Sequence, residues 1–136
     1  CLEVCPASAI KSLGDHVIVD PAICGGCGLC GAVCPSGAIQ TAYPPSDQLL
    51  SEIARLLDYY TEAGGKNASL LLHDANYGTE LIEMIARYGR GLPANVLPVS
   101  MHSIGRAGHD LTVGAIALGY QKVFILLKIN QLIIDV

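Results

Sequence analysis

Beyond Cys34 the chain has no cysteine, and among its 136 residues only 15% are charged. Basic residues are no majority: 8 Lys and Arg face 12 Asp and Glu, for a net charge of −4. Such a balance gives no electrostatic footprint for nucleic acid or anionic lipid. No apolar run approaches about 18 uncharged residues, so no membrane span is expected. No export signal is visible. No phosphate-binding P-loop is present, and the one G-x-G-x-x-G spacing, Gly26 to Gly31, falls inside a run of cysteines, so no motif supports a nucleotide site. What the chain does have is apolar side chains, 51% of the total, enough to build a core and to argue against long-range disorder. Its length suits one ordinary domain or two small ones. Because it starts at Cys1 and not at Met, the expectation is a fragment or a processed product.

All six cysteines fall within residues 1–34. They read Cys1-x3-Cys5-Pro6 and then Cys24-x2-Cys27-x2-Cys30-x3-Cys34-Pro35. The second run is the C-x2-C-x2-C-x3-C-P arrangement of iron–sulfur proteins, and the first is its back half. An internal repeat links the two. CLEVCPASAI (1–10) and CGAVCPSGAI (30–39) share Cys, Val, Cys, Pro, Ala and Ile at an offset of 29. Shifting Cys24 and Cys27 back by that offset lands before residue 1, so two cysteines of the first motif are expected upstream of this chain. Three thiolates at i, i+3 and i+6 on a tight loop can grip three irons of one cubane. The fourth, followed by a chain-turning Pro, points away to another cluster. Glycines 25, 26, 28 and 31 let backbone approach the sulfurs and donate N–H bonds to them. Three other readings compete: a disulfide framework in a secreted domain, a zinc site built on C-x2-C pairs, and a degenerate remnant without a cluster.

Over residues 1–40 the chain resembles the bacterial two-cluster ferredoxin family. The resemblance implies an α+β ferredoxin-like 2[4Fe–4S] module. By that family's crossed ligation, Cys5, Cys24, Cys27 and Cys30 would hold one complete [4Fe–4S] cluster. Cys1 and Cys34 would belong to the second, with two of its four ligands here. His16 is read as a surface strand residue, since four thiolates complete the first cluster without it. Ala9–Leu13 and His16–Asp20, alternating around Gly14-Asp15, read as a hairpin.

Tyr43-Pro44-Pro45-Ser46 marks a linker. A helix should follow with Ser46 as N-cap and run to about Glu62, with Leu49, Leu50, Ile53, Leu56, Leu57 and Tyr60 on one face and Gly64-Gly65 beyond its end. From Ala68 the pattern changes. Ser69–His73, Asn95–Ser100 and Lys122–Leu127 read as strands without alternation. Thr79–Tyr88, with Leu81, Ile82, Ile85 and Ala86 inward, and Asp110–Leu118 read as the helices between them. This predicts a small α/β domain with a three-stranded parallel βαβαβ sheet. Pro98 is a blemish for a central strand. The tail Lys128–Val136 is apolar enough to pack, and the sheet is expected to continue in the parent protein. The expected units are residues 1–42, a linker and helix over 43–67, and 68–136.

In open parallel sheets ligands bind beyond the carboxyl ends of the strands. That edge holds His73, Asp74, Asn76, Tyr77 and Gly78 after one strand. After the next it holds Met101, His102, Ser103, Gly105, Arg106, Gly108 and His109. His73, His102 and His109 invite a metal or acid–base reading. Helix-capping polar loops are the plainer one, and Arg106 could equally pair with a carboxylate or a partner. Of these, His73, His102 and Arg106 are the candidate cofactor-binding residues, and no catalytic residue is assigned. Residues 69–127, through His73-Asp74-Ala75-Asn76-Tyr77-Gly78 and Ser103-Ile104-Gly105-Arg106, resemble the delta subunit family of methyl-viologen-reducing hydrogenases. That family passes electrons to heterodisulfide reductase. Its loop cysteines hold an extra cluster; this chain has none there, so the extra cluster does not carry over.

The expected function is an iron–sulfur electron-transfer protein or subunit, in the cytoplasm, serving a dehydrogenase, hydrogenase or reductase partner. It reads as an electron carrier rather than a catalyst by itself. The alternatives are a redox-enzyme subunit whose α/β half binds a small substrate or flavin, and a module that only docks a partner.

Overall fold

A computed structural model describes residues 2–128. Cys1 and the tail from 129 lie outside the described residues, and with them the expectation that the tail packs.

The hairpin forms as the Gly14-Asp15 turn suggests. Strand β1 (Ile10–Ser12) pairs antiparallel with β2 (Val17–Val19), and Ile10 faces Val19. Ala9, Ile10 and Ile39 are the buried apolar residues of this segment. Ile10 and Ile39 are also equivalent in the sequence repeat. The repeat shows in the backbone too. A 3-10 turn (Leu2–Val4) leads into Cys5, and the short helix α1 (Leu29–Ala32) leads into Cys34.

Helix α2 runs Ser46–Glu62. Its cap residue is Pro45 rather than Ser46, because the Ser46 hydroxyl is engaged by Arg106 and caps nothing. Leu49, Ile53 and Leu57 recur every fourth residue and are buried.

Three parallel strands follow: β3 (Ser69–Asp74), β4 (Val96–Met101) and β5 (Lys122–Ile125), joined by helices α3 (Tyr77–Tyr88) and α4 (His109–Leu118). Their order in the sheet is β4-β3-β5. The central strand is therefore β3, which explains its uninterrupted apolar sequence. Pro98 sits on β4, an edge strand, where its missing N–H costs no ladder bond. Its register partner is Leu71.

From β3 the chain steps one way to β4, then crosses back over β3 to β5. Right-handed crossovers must put α3 and α4 on opposite faces. One face carries Leu70, Leu72, Val99 and Met101, packed with α2 and with Leu111 and Ala115 of α4 into the main core. The other carries Leu71, Pro98 and Phe124 in one row, with α3 over it. That face is thinly covered. The expected inward set of α3 is corrected here: Leu81 and Ile82 are half-buried, whereas Ile85 and Ala86 are exposed, and Gly78 is the helix's buried residue. Among the described residues no second helix lies beside α3, so its last two turns have nothing to be buried against.

Tyr120 closes the main core. It is 2% exposed, and its hydroxyl donates to the Ile53 carbonyl at 3.0 Å. Burial first, and the Asp58 carboxylate second, push its pKa up to about 12 from the ordinary 10.0. A raised pKa means the fold favours the neutral phenol. Its stabilisation is complete below pH 10 and is lost as pH rises towards 12. Chemical denaturation midpoints should therefore fall over that window, and by less in Tyr120→Phe.

Candidate metal centre

The cysteine loop is shaped by Asp20. Its backbone carbonyl accepts the N–H of Cys24 at 2.9 Å, and its carboxylate accepts the N–H of Ala22 at 3.1 Å. The Ala22 N–H, and after it the Lys11 ammonium at 3.3 Å, hold the Asp20 carboxyl below the usual range. This turn delivers the chain to Cys24 at the start of the tight run. Gly28 has φ +74, a left-handed conformation that side chains other than glycine adopt only with strain.

Cys5, Cys24, Cys27, Cys30 and Cys34 are all free thiols. Cys5 Sγ accepts the Ala9 N–H at 3.3 Å. Cys34 Sγ lies 3.5 Å from Ser36 Oγ. Hydrogen bonding by the Ser36 hydroxyl first, then by the Ile39 backbone N–H, brings the Cys34 pKa down to about 7. Sulfurs that already receive N–H and O–H bonds suit thiolate ligation, since those bonds stabilise negative charge on sulfur. The donor set therefore fits an iron–sulfur cluster in its chemistry. Among the described residues, no three His, Cys, Asp or Glu side chains are gathered as a single-ion site would need. That includes the histidines singled out from the sequence.

Those histidines separate. His73 is buried, not on the loop surface; its Nδ1 lies 3.0 Å from the Asp74 carbonyl, and its side chain packs beneath Gly78. The reason is period two: His73 shares a face with Ser69 and Leu71, under the first turn of α3. His109 is exposed at the start of α4. His16 is exposed and bonded to Asp15 at 2.7 Å. His102, also exposed, lines a cavity of about 300 Å³.

That cavity lies where the cysteine loop meets the carboxyl end of β4. Cys27 and Gly28 come from one side; Met101, His102, Ser103 and Arg106 come from the other. Arg106 is buried, and its guanidinium donates to the Pro44 carbonyl and to Ser46 Oγ. Desolvation lowers its pKa from the ordinary value, and the Asp110 carboxylate partly opposes this.

Close backbone approach holds the loop after β4 on the cysteine loop. A Cβ on Gly105 would stand 3.1 Å from the Cys27 carbonyl oxygen. On Gly108 it would meet Ala32 O at 2.6 Å and Ala32 Cα at 2.7 Å. Both obstacles are backbone and cannot swing aside. Gly108→Ala should therefore cost about 1–3 kcal/mol in urea unfolding. Gly25→Ala, with nothing within 4 Å of the added carbon, should stay within about 0.5 kcal/mol. The sequence reading assigned Gly28 to sulfur approach and missed this seam. The signal was there in the small residues of Gly105-Arg106-Ala107-Gly108.

Residues 1–44 match the LdpA Fe-S cluster-binding domain family. The chain is 51% identical over 39 residues to an uncharacterized ferredoxin of Methanocaldococcus jannaschii, across 29% of this chain and 24% of that protein. It is 45% identical over 42 residues to hydrogenase-4 component A of Escherichia coli, across 31% of this chain and 20% of that one. It is 49% identical over 39 residues to a 7Fe ferredoxin of Hydrogenibacillus schlegelii, across 29% and 50%. The chain thus spans half or less of these relatives. No solved structure matches. The N-terminal segment is a ferredoxin-type iron–sulfur domain. The family match ends at residue 44, and the resemblance of 69–127 to the hydrogenase delta family gains no support from it. Among the described residues no helix is long and apolar enough to cross a membrane.

Proposed function

We propose that this chain is an iron–sulfur electron-transfer protein or subunit, passing low-potential electrons to or from a partner oxidoreductase. The observation that carries this is the cysteine run 24–34 on an Asp20-ordered, glycine-rich loop within a ferredoxin-type domain. Cys5, Cys24, Cys27 and Cys30 would hold one [4Fe–4S] cluster; Cys1 and Cys34 would serve a second. Such a cluster supplies one-electron chemistry. The chain's residues hold and tune it: thiolates ligate, and backbone N–H groups, as at Ala9, offset charge on sulfur. The likeness to hydrogenase-4 component A supports a larger redox assembly as partner. Reduced thiols and low-potential clusters favour the cytoplasm.

The experiment is anaerobic reconstitution of the full chain with iron and sulfide. Acid-labile sulfide and a paramagnetic signal after dithionite are expected. A colourless, silent product, or zinc at full occupancy, rejects the proposal.

The cavity between Cys27 and Arg106 favours one second reading, a redox-enzyme subunit binding a small substrate or flavin there. A flavin or other organic ligand co-purifying with the full chain would select it.

A further inference from the structure

Arg106 occupies an unusual electrostatic position. It is 7% exposed. Among the described residues no carboxylate lies within 4.0 Å of it. Its hydrogen-bond acceptors are neutral, the Pro44 carbonyl and the Ser46 hydroxyl. A guanidinium stays charged even when desolvated, so this is a buried cation without a carboxylate in salt-bridge contact among the described residues.

Its stem lies on the cysteine loop. A Cβ at Gly28 would meet Arg106 Cβ at 3.0 Å and Cγ at 3.3 Å. Gly28 is the residue after Cys27 and two before Cys30. A Cβ on Gly105, next to Arg106, would stand 3.1 Å from the Cys27 carbonyl oxygen. The loop after β4 thus lays the Arg106 stem on the cysteine loop and puts the residue on the wall of a cavity that Cys27 also lines.

We propose that Arg106 is the counter-charge for the cluster at Cys27 and Cys30, raising its reduction potential and coupling the α/β half to its redox state. The inference rests on those cysteines ligating a cluster. Thiolate-ligated cubanes are anionic, and reduction adds one negative charge. A fixed cation nearby favours the reduced form, and does so more strongly where burial excludes solvent screening. By reciprocity, reduction tightens the hold of the cysteine loop on the Arg106 loop. The exposed carboxylates facing this region are Glu52, on the cavity wall, and Asp110, at the start of α4. Both oppose Arg106, and both are screened by water.

The test is a potentiometric titration, followed by electron paramagnetic resonance, on the anaerobically reconstituted full chain. Two substitutions remove the net charge by different routes. Arg106→Gln deletes it. Ser46→Asp puts a carboxylate where Nη2 already reaches Oγ at 3.3 Å, at a helix N-terminus that accepts aspartate. Each has a control of similar shape, Arg106→Lys and Ser46→Asn. Arg106→Gln and Ser46→Asp should each lower the midpoint by about 59 mV, a tenfold change in the one-electron equilibrium. Arg106→Lys and Ser46→Asn should stay within about twofold of the parent, roughly 18 mV on the same scale. Unmoved midpoints in both charge-removing variants overturn the proposal. So does a control that shifts as far as its partner, because packing and not charge would then be at work. Should Arg106→Gln fail to load, the Ser46 pair decides. A parent chain that takes up no cluster sinks the underlying function instead, a distinguishable outcome.

Discussion

Cys27→Ser, reconstituted anaerobically beside the parent chain, should lose its iron–sulfur chromophore and its signal after dithionite. Cys27 is the middle thiol of the i, i+3, i+6 set, on a loop fixed at one end by Asp20 and at the other by α1. A serine hydroxyl of ordinary acidity does not replace a thiolate as a soft ligand for iron. Under crossed ligation Cys5 already serves this cluster and Cys34 serves the other, which leaves no described thiol over to substitute. Cys34→Ser gives the contrasting result under crossed ligation: the cluster at Cys24, Cys27 and Cys30 survives, and any second one is lost. Iron and sulfide determinations on the two variants read the ligand assignment directly. Equal losses in both would mean that the four thiols of the run serve one cluster together, contrary to that assignment.

The second large effect is in the sheet. Leu70→Ala and Leu72→Ala should each cost about 2–5 kcal/mol, measured by urea unfolding. Both side chains are fully buried in the central strand, between α2 and α4. Leu71→Ala should cost visibly less, about 1 kcal/mol. Among the described residues its face is closed by α3 alone, and its register neighbours Pro98 and Phe124 are exposed. The contrast tests whether the two faces are as unequal as their burial. Equal costs for Leu70 and Leu71 would mean that the α3 face is covered in solution.

Much of this was legible from local pattern. The repeat 1–10 against 30–39 matched the two Cys-Pro segments, although their helical turns and buried isoleucines came only with the structure. Gly14-Asp15 located the hairpin. Apolar runs of strand length located β3, β4 and β5, each to within a residue or two at most ends. The α3 face was misjudged because periodicity states which residues share a side, not whether anything covers that side. Ser46 was misplaced by one position because its hydroxyl bonds a side chain sixty residues away. His73 looked like a loop ligand because its position at a strand end did not tell which face it takes.

By itself the sequence determined the thiol spacing, the strand and helix periods and the carriers of charge, because these depend on neighbours along the chain. Tertiary structure alone decided that Gly105 and Gly108 press on the cysteine loop, that His73 is buried while His102 lines a cavity, and that the Arg106 stem lies against Gly28. Those are contacts between segments far apart in sequence, where the approach of two backbones is set by packing of the whole and no local period records it.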